Sequence, residues 1–473
     1  MGVKNIFSFF VLLFSLFLNG QTIEENVIQY DSIISHEVKK KETLFSISKI
    51  YDISVEDLLK ANPDIKNDRL KRKSILNIPL KKVLKITINN DIEEELDSTL
   101  IITEKDKSLL SKKFKRRNLN VALLAPLKLN SIILDSVVLT KKTLSELNLT
   151  TISINFLNGL KSTIKELEEL GAKIDLSIYD TENNINKIKE LKAQDFSSFD
   201  LIIGPFINRN FNEFSQDLDN LIISPLVNNG IELKNNVIQT IGPDTLKRKS
   251  IYKIIDDRIN EIEDQCAIII SDLNNISSAN ILLEKFPNAE HIKIDNENLF
   301  VDPKITDSLM GTNKQNWVFL ETSKSNVISS VTSMLSSQKN NEREIKLYST
   351  VSVENYDNPN NSLDKLGKIS FIYPSNSKPN YNNSFQIFYN SYIDKFGNEP
   401  DRISVRARDL TMDLFLRILV YRRFENSFDH GETEYLQNKF NYVIGPNSIL
   451  NKSFYVLEHD DLEVLDYNSK NED

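Results

Sequence analysis

The chain opens with an almost unbroken apolar run, Ile6 to Leu18, preceded by Lys4 and followed by the polar Asn19-Gly20-Gln21. A membrane span takes roughly 20 apolar residues, so this shorter run fits the core of a secretory signal over residues 1–20. Cleavage is expected after Gly20, although Leu18 is larger than such sites prefer; an uncleaved N-terminal anchor is the alternative. Further on, His36 to Lys40 alternates as a short strand. Thr43 is placed to cap a helix whose apolar positions Leu44, Ile47 and Tyr51 recur at helical spacing. Ser54 is placed to cap a second helix, with Val55, Leu58 and Leu59 on one face and Pro63 beyond its end; Ile75 to Leu80 returns as a strand. The pattern predicts a small β-α-α-β unit over residues 35–80.

From Leu119 the pattern changes to near-continuous apolar strands alternating with helices. Strands are expected at Leu119 to Ala125, Lys173 to Tyr179, Asp200 to Ile203, Leu221 to Ile223, Ala267 to Ile270, Trp317 to Leu320, Lys346 to Ser349 and Ile369 to Tyr373. Helices are expected at Phe156 to Leu170, stopped by Gly171, and at Asn183 to Gln194. Strands apolar on both faces and separated by helices predict a parallel sheet covered on both sides. Between the two regions, residues 81–117 carry an acidic stretch, Asp91 to Leu96, and a basic one, Lys112 to Arg117. Runs of that kind predict a solvated linker.

Composition sharpens this picture at a few points. Of 473 residues, 40% are hydrophobic and 26% charged, as expected of packed cores. With 67 acidic against 58 basic side chains, the net charge of −9 argues against a nucleic-acid partner. Only 12 glycines are present, which leaves little room for glycine-rich phosphate loops. The single cysteine, Cys266, lies in the strand-like Cys-Ala-Ile-Ile-Ile and reads as a packed, inert thiol. No cysteine follows the apolar run to accept a lipid, and no second segment is long enough to span a bilayer. The expected location is therefore the periplasm or cell envelope, as an exported protein that is not a lipoprotein.

The first unit resembles the LysM family. The resemblance covers the whole unit: a strand ending in Val, Glu-Thr-Leu, Ile-x-x-x-Tyr, Leu-x-x-x-Asn-Pro, and Leu-x-Ile-Pro in order. It implies binding of N-acetylglucosamine-containing glycan, as in peptidoglycan, in a shallow groove between two loops. Carried onto this chain, those loops are Glu42, Thr43 and Leu44, and Asn62, Pro63, Asp64 and Ile65, with Leu44 and Ile65 against the apolar sugar faces. Two positions depart from the family, which has glycine where Lys41 and Lys73 stand, at turns that often need positive φ. Lys39 to Lys41 also set three positive charges beside the groove. A LysM fold with a decayed groove is the alternative reading.

The large region resembles the type I periplasmic-binding-protein fold, in the branched-chain amino-acid receptor-like group, over residues 118–465. Its marks are Ala-Pro-Leu after the first strand, Phe-Leu-Asn-Gly-Leu, Leu-Ile-Ile-Gly-Pro and Ile-Ser-Pro. They continue with Phe385 to Phe396 with Gly397, Glu399-Pro400 and the helix containing Asp409. The resemblance implies one lobe over about 118–241 and 375–450, and a second over about 242–374. A ligand would lie at the carboxyl ends of the strands, at Lys128, Asn208, Ser224 and Asp272. Ser224 and Asp272 read equally well as caps of the helices after them, and Pro205 and Pro225 as turn formers. Val227-Asn228-Asn229 stands where the family commonly has a small hydroxyl residue, so the amino-acid clamp is not visible.

The four histidines, His36, His291, His430 and His459, have no metal-site spacing, and no Gly-x-Ser-x-Gly elbow occurs. No catalytic residue, metal or cofactor is expected. The expectation is a non-catalytic envelope protein that holds peptidoglycan through LysM and takes a small amino-acid-like ligand or an envelope protein in its two-lobed domain. Its architecture is similar to that of outer-membrane activators of peptidoglycan synthases, which would imply regulation of wall synthesis. A wall-tethered solute receptor and a peptidoglycan hydrolase are the alternatives, the latter needing a carboxylate pair.

Overall fold

A computed structural model describes residues 26–38, 43–44, 47–48, 55–63, 65, 70, 73–85, 109–132, 143–144, 146–227, 229–259, 266–294, 299–352, 363–380, 382–445 and 447–468. The expected signal at 1–20 lies outside these residues, as does the side chain of Cys266, the first residue of its strand. The chain divides into two compact units, 1–99 and 100–473.

In the first unit, β1 (Asn26–Glu37) pairs antiparallel with β2 (Ile75–Lys85), from Glu37↔Ile75 to Asn26↔Lys85. The strand expected at His36 starts ten residues earlier, because Asn26 to Ser35 is rich in β-branched residues and finds a partner in the continuation of β2. Between the strands, Leu44, Ile47 and Ser48 are helical and α1 spans Val55–Ala61. Val38, Leu44, Ile47, Leu58, Leu76 and Ile78 form the core, with Val55, Leu59, Ile65 and Leu70 packed against it. Asn62 ties the helix end to the sheet: its Nδ2 donates to Leu58 O (2.8 Å) and Asn77 O (2.6 Å), and its Oδ1 accepts from Asn77 N (2.7 Å).

The second unit contains two sheets of seven strands and a short antiparallel pair, β13 (Thr433–Glu434) with β14 (Lys439–Phe440). The first has the order β15-β16-β7-β6-β5-β3-β4, built from β3 (Asn118–Ala125), β4 (Lys173–Asp180), β5 (Leu201–Ile203), β6 (Leu221–Ser224), β7 (Val237–Gln239), β15 (Tyr442–Ile444) and β16 (Ile449–Asn451). All are parallel to their neighbours except β15. The second has the order β18-β17-β12-β11-β10-β8-β9, from β8 (Cys266–Asp272), β9 (Glu290–Ile294), β10 (Lys314–Glu321), β11 (Arg343–Tyr348), β12 (Ile372–Ser375), β17 (Tyr455–Asp460) and β18 (Glu463–Asp466). Here only β17 and β18 run antiparallel to their neighbours.

Both sheets are covered on both faces. Along β3, Val121, Leu123 and Ala125 enter one core cluster, while Ala122 and Leu124 enter another. Val318 and Leu320 likewise part from Trp317 and Phe319 in the second sheet. The connecting helices are α2 (Leu149–Glu169), α3 (Ile185–Lys192), α4 (Asn208–Ser215), α5 (Asp244–Ile259), α6 (Ile276–Lys285), α7 (Pro303–Leu309), α8 (Ser325–Gln338) and α9 (Leu363–Lys368). After β12 come α10 (Asn383–Phe396) and α11 (Arg402–Tyr421). α2 starts seven residues before the apolar pattern at Phe156, because Asn148 and Thr151 cap each other's backbone in a capping box.

The strand order makes the fold two-lobed. The chain leaves the first sheet after β7, returns to it after β12, and leaves again after β16 to add β17 and β18 to the second sheet. This is a doubly wound α/β fold with three crossings between lobes. The second sheet therefore takes two strands from beyond residue 450.

One expected linker segment is not solvated. Leu109 is fully buried in the core of the first lobe, and Leu110 and Phe114 pack on the same core. Lys115 N and Arg116 N both donate to Leu419 O (2.9 and 3.0 Å), Lys112 Nζ donates to Tyr421 OH (2.7 Å), and Arg116 pairs with Asp200. The apolar residues inside the basic run decide its fate, since burying them outweighs what the flanking charges gain from water. Among the described residues, no helix is long and apolar enough to cross a membrane.

Candidate functional site

In the first unit, Thr43 and Pro63 are exposed, and Ile65 is half-buried against the core. Leu44 is 5% exposed and belongs to the core, and Asn62 is 8% exposed with its amide engaged as above. These two side chains are turned into the module, and of the expected groove residues Thr43 and Pro63 are the exposed ones. Glu42, Asp64 and Lys41 lie outside the described residues. At the other substituted turn, Lys73 takes φ 66°, the left-handed region that glycine favours. The turn is held by Lys73 N donating to Val38 O and Val38 N to Ser74 O, both at 2.8 Å.

In the second unit, parallel strands bring their carboxyl ends to one edge of each sheet. On the first lobe the organising side chain is Asp180, the last residue of β4. Its carboxylate accepts from the backbone N–H of Lys128 (3.0 Å), Leu129 (2.8 Å) and Glu182 (2.8 Å), locking together the loops after β3 and β4. Lys128, Glu182 and Asn183 all lie at φ 53°, so three non-glycine residues in left-handed conformation cluster at this edge. Asn183 Oδ1 accepts from Asn210 Nδ2 of α4 (3.2 Å), and the hydroxyl of Thr181, only 1% exposed, has no hydrogen-bond partner among the described residues.

Of the expected ligand positions, Lys128 stands on the loop after β3 and Asn208 at the start of α4, both partly exposed. Asn208 opens α4 and donates its amide to Asn229 O. A Cβ on Gly230 would come within 2.8 Å of that amide, so the turn at φ 72° needs glycine. Ser224 is fully buried, its Oγ donating to Val227 O (2.9 Å). Asp272 is 2% exposed and caps the 3₁₀ turn Leu273–Asn275: Oδ1 accepts from Asn274 N, Asn275 N and Asn275 Nδ2 (3.0–3.1 Å), and Oδ2 from Thr322 Oγ1 (2.6 Å). The side chains of Ser224 and Asp272 thus shape the edge from inside.

The second lobe holds a polar network that sequence reasoning missed. Glu321 ends β10 fully buried, accepting from Thr350 N (2.8 Å) and Thr350 Oγ1 (2.5 Å). Thr350 Oγ1 contacts Ser278 Oγ (2.7 Å), which contacts Tyr252 OH (3.0 Å). Burial pushes the Glu321 carboxyl and the Tyr252 phenol above their ordinary ranges. Beside them, Arg248 donates to Asn275 Oδ1 (3.4 Å), and its buried Nε has no partner among the described residues. A charged residue closing the apolar run Trp317 to Leu320 was the available signal for Glu321; for Asp180 it was an acid followed by the turn formers Thr-Glu-Asn-Asn.

Behind the first edge, α11 crosses under the lobe with five charged residues buried. Arg408 pairs with Glu166 (2.8 Å) and Arg417 with Asp413 (2.9 Å), and Asp409 accepts from the N–H groups of Gln437 and Asn438 (2.9 and 3.1 Å). Arg406 donates to Pro225 O (3.1 Å) and Thr240 Oγ1 (3.1 Å), and Asn451 Nδ2 to Thr240 O (3.0 Å). Two of the three crossings are therefore pinned where they leave the first lobe. Among the described residues, no group of His, Cys, Asp and Glu is placed to hold a metal.

Residues 36–79 match the model of the LysM domain family. Among the curated proteins, none matches the chain. Among solved structures, one similar chain is the branched-chain amino-acid transporter substrate-binding protein LivJ from Streptococcus pneumoniae, in complex with isoleucine. It is 11% identical, over 74% of this chain and 98% of that one, with a TM-score of 0.43. A branched-chain amino-acid transporter periplasmic ligand-binding protein from Burkholderia xenovorans is 8% identical over 73% and 91%, at 0.47. An amino-acid transporter substrate-binding protein from Pseudomonas fluorescens is 12% identical over 75% and 96%, at 0.46. The two-lobed assignment rests on the strand order and crossings described above.

Proposed function

We propose that this chain is an exported, non-catalytic protein of the bacterial envelope. Its LysM module holds peptidoglycan through N-acetylglucosamine glycan, and its two-lobed domain takes a small ligand or a protein partner between the strand ends. The observation that carries this reading is the LysM match at residues 36–79 joined to a binding-protein fold. Lys73 in left-handed conformation supports a groove that keeps the family's turn geometry without its glycine. In the cleft, loops locked by Asp180 and the network around Glu321 offer rigid polar edges, which is how small-ligand sites are preorganised.

The test is sedimentation with purified peptidoglycan sacculi. The chain from Gln21 is expected to pellet, a chain from Leu100 to stay in the supernatant, and the sacculi to release no soluble fragments. Equal pelleting of both chains would move wall binding to the large unit. Release of fragments would mean an enzyme.

A further inference from the structure

The carboxyl ends of the first lobe's strands face the cleft, and their amino ends enclose a second concavity. Asn118, Leu201 and Leu221 begin the neighbouring strands β3, β5 and β6. The residues just before them, together with the end of α11, line a pocket of about 710 Å³. That volume is typical of small-ligand sites, roughly 300–1,000 Å³. Phe199, Leu218 and Leu221, half-buried in its lining and packed on the lobe's cores, give it an apolar floor.

The rim carries both charges, with Arg116 paired to Asp200 and the exposed Glu425 following the arginines. The loops before β5 and β6 bring Asp195, Asp217 and Asp219; the residues after α11 bring Arg422 and Arg423. Asp217 is engaged by Lys192 at 3.4 Å. Asp195 accepts from Ser197 N (2.9 Å), a bond that holds its carboxyl below its ordinary range and therefore ionised. Asp219, Arg422 and Arg423 have no ion-pair partner among the described residues. The backbone beneath the exposed arginines is held: the chain leaves α11 at Arg422 with φ 69°, its N–H on Ile418 O (2.8 Å).

We propose that this pocket binds a zwitterion, a short peptide with both termini free. Its carboxylate lies on Arg422 and Arg423, its ammonium on Asp219 and Asp195, and its side chains on Phe199, Leu218 and Leu221. A mixed set of charges favours a ligand that carries both, because a purely anionic or cationic one leaves part of the set unmatched. Guanidinium–carboxylate pairs supply the directional contacts. The site is separate from the cleft and does not depend on it.

Isothermal titration calorimetry of the chain from Gln21 with tri-alanine tests this. Saturable binding is expected, weakened about tenfold or more by the paired change Arg422→Ala and Arg423→Ala, and likewise by Asp219→Ala. Tri-alanine with an acetylated amine or an amidated carboxyl should bind correspondingly worse. Lys128→Ala, on the cleft, should leave the affinity unchanged. All four residues are on the surface, and circular dichroism confirms that the variants fold. Absence of saturable binding at millimolar peptide overturns the proposal. So does binding that survives the pocket substitutions and falls with Lys128→Ala, which would place the peptide in the cleft.

Discussion

At the scale of single residues, His459 shows how burial sets charge. It is 1% exposed on β17, beside the rings of Phe371 and Tyr373 and sharing a hydrogen bond with Tyr373 OH (3.1 Å). Burial lowers its pKa from 6.5 to about 4. The folded imidazole therefore resists a proton that the unfolded one accepts. Stability is complete above about pH 6.5 and falls as pH drops towards 4, by up to about 3 kcal/mol. We predict that the urea midpoint of the large unit falls between about pH 7 and pH 4.5, and that His459→Phe removes much of that fall. An unchanged pH slope in the variant would place the sensitivity elsewhere. Residue-scale reading of the sequence had uneven reach. The demand for positive φ at Lys73 was legible through the LysM resemblance, since that family has glycine at the position. The part played by Asp180 was not, because its partners Lys128 and Leu129 lie about fifty positions away in the chain.

At the scale of elements, the packing of α2 on α11 depends on a missing side chain. A Cβ on Gly159 would stand 2.1 Å from Ser404 O and 2.9 Å from Ala407 Cβ, so the helices approach along a glycine. We predict that Gly159→Ala forces them apart and costs about 1–3 kcal/mol, read as a lower thermal midpoint of the large unit. A midpoint within a degree of the parent would show that the helices adjust freely. The same contact explains why α11, named through the resemblance by Asp409, has no bounds legible from periodicity. Seventeen of its residues are buried, among them Arg408, Asp409, Asp413 and Arg417, so it has no polar face for periodicity to find. The strands were easier, since Leu119 to Ala125 and Trp317 to Leu320 are apolar on both faces and go where such runs must, into covered sheets.

At the scale of the whole chain, the two lobes are not separable by cutting at the first two crossings. The edge of β12 pairs with β17 from Ile372↔Glu458 to Ser375↔Tyr455, and Tyr455, Val456 and Leu457 are each 1% exposed. We predict that residues 242–374 alone lack a cooperative thermal transition, and that joining residues 453–468 through a flexible linker restores one. A folded 242–374 fragment would show that the last two strands are an accessory.

Order, repetition and local chemistry are properties of the sequence, and they determined the two units, the alternation of strand and helix and the LysM module. They reach that far because apolar spacing and turn residues act over a few positions at a time. The tertiary structure alone decided that Leu109 to Arg117 belongs to the first lobe, that β17 and β18 complete the second sheet, and which polar groups meet at the strand ends. Those outcomes turn on contacts between residues tens to hundreds of positions apart, such as Arg116 with Asp200 and Arg408 with Glu166, whose free energy depends on burial that no local pattern specifies.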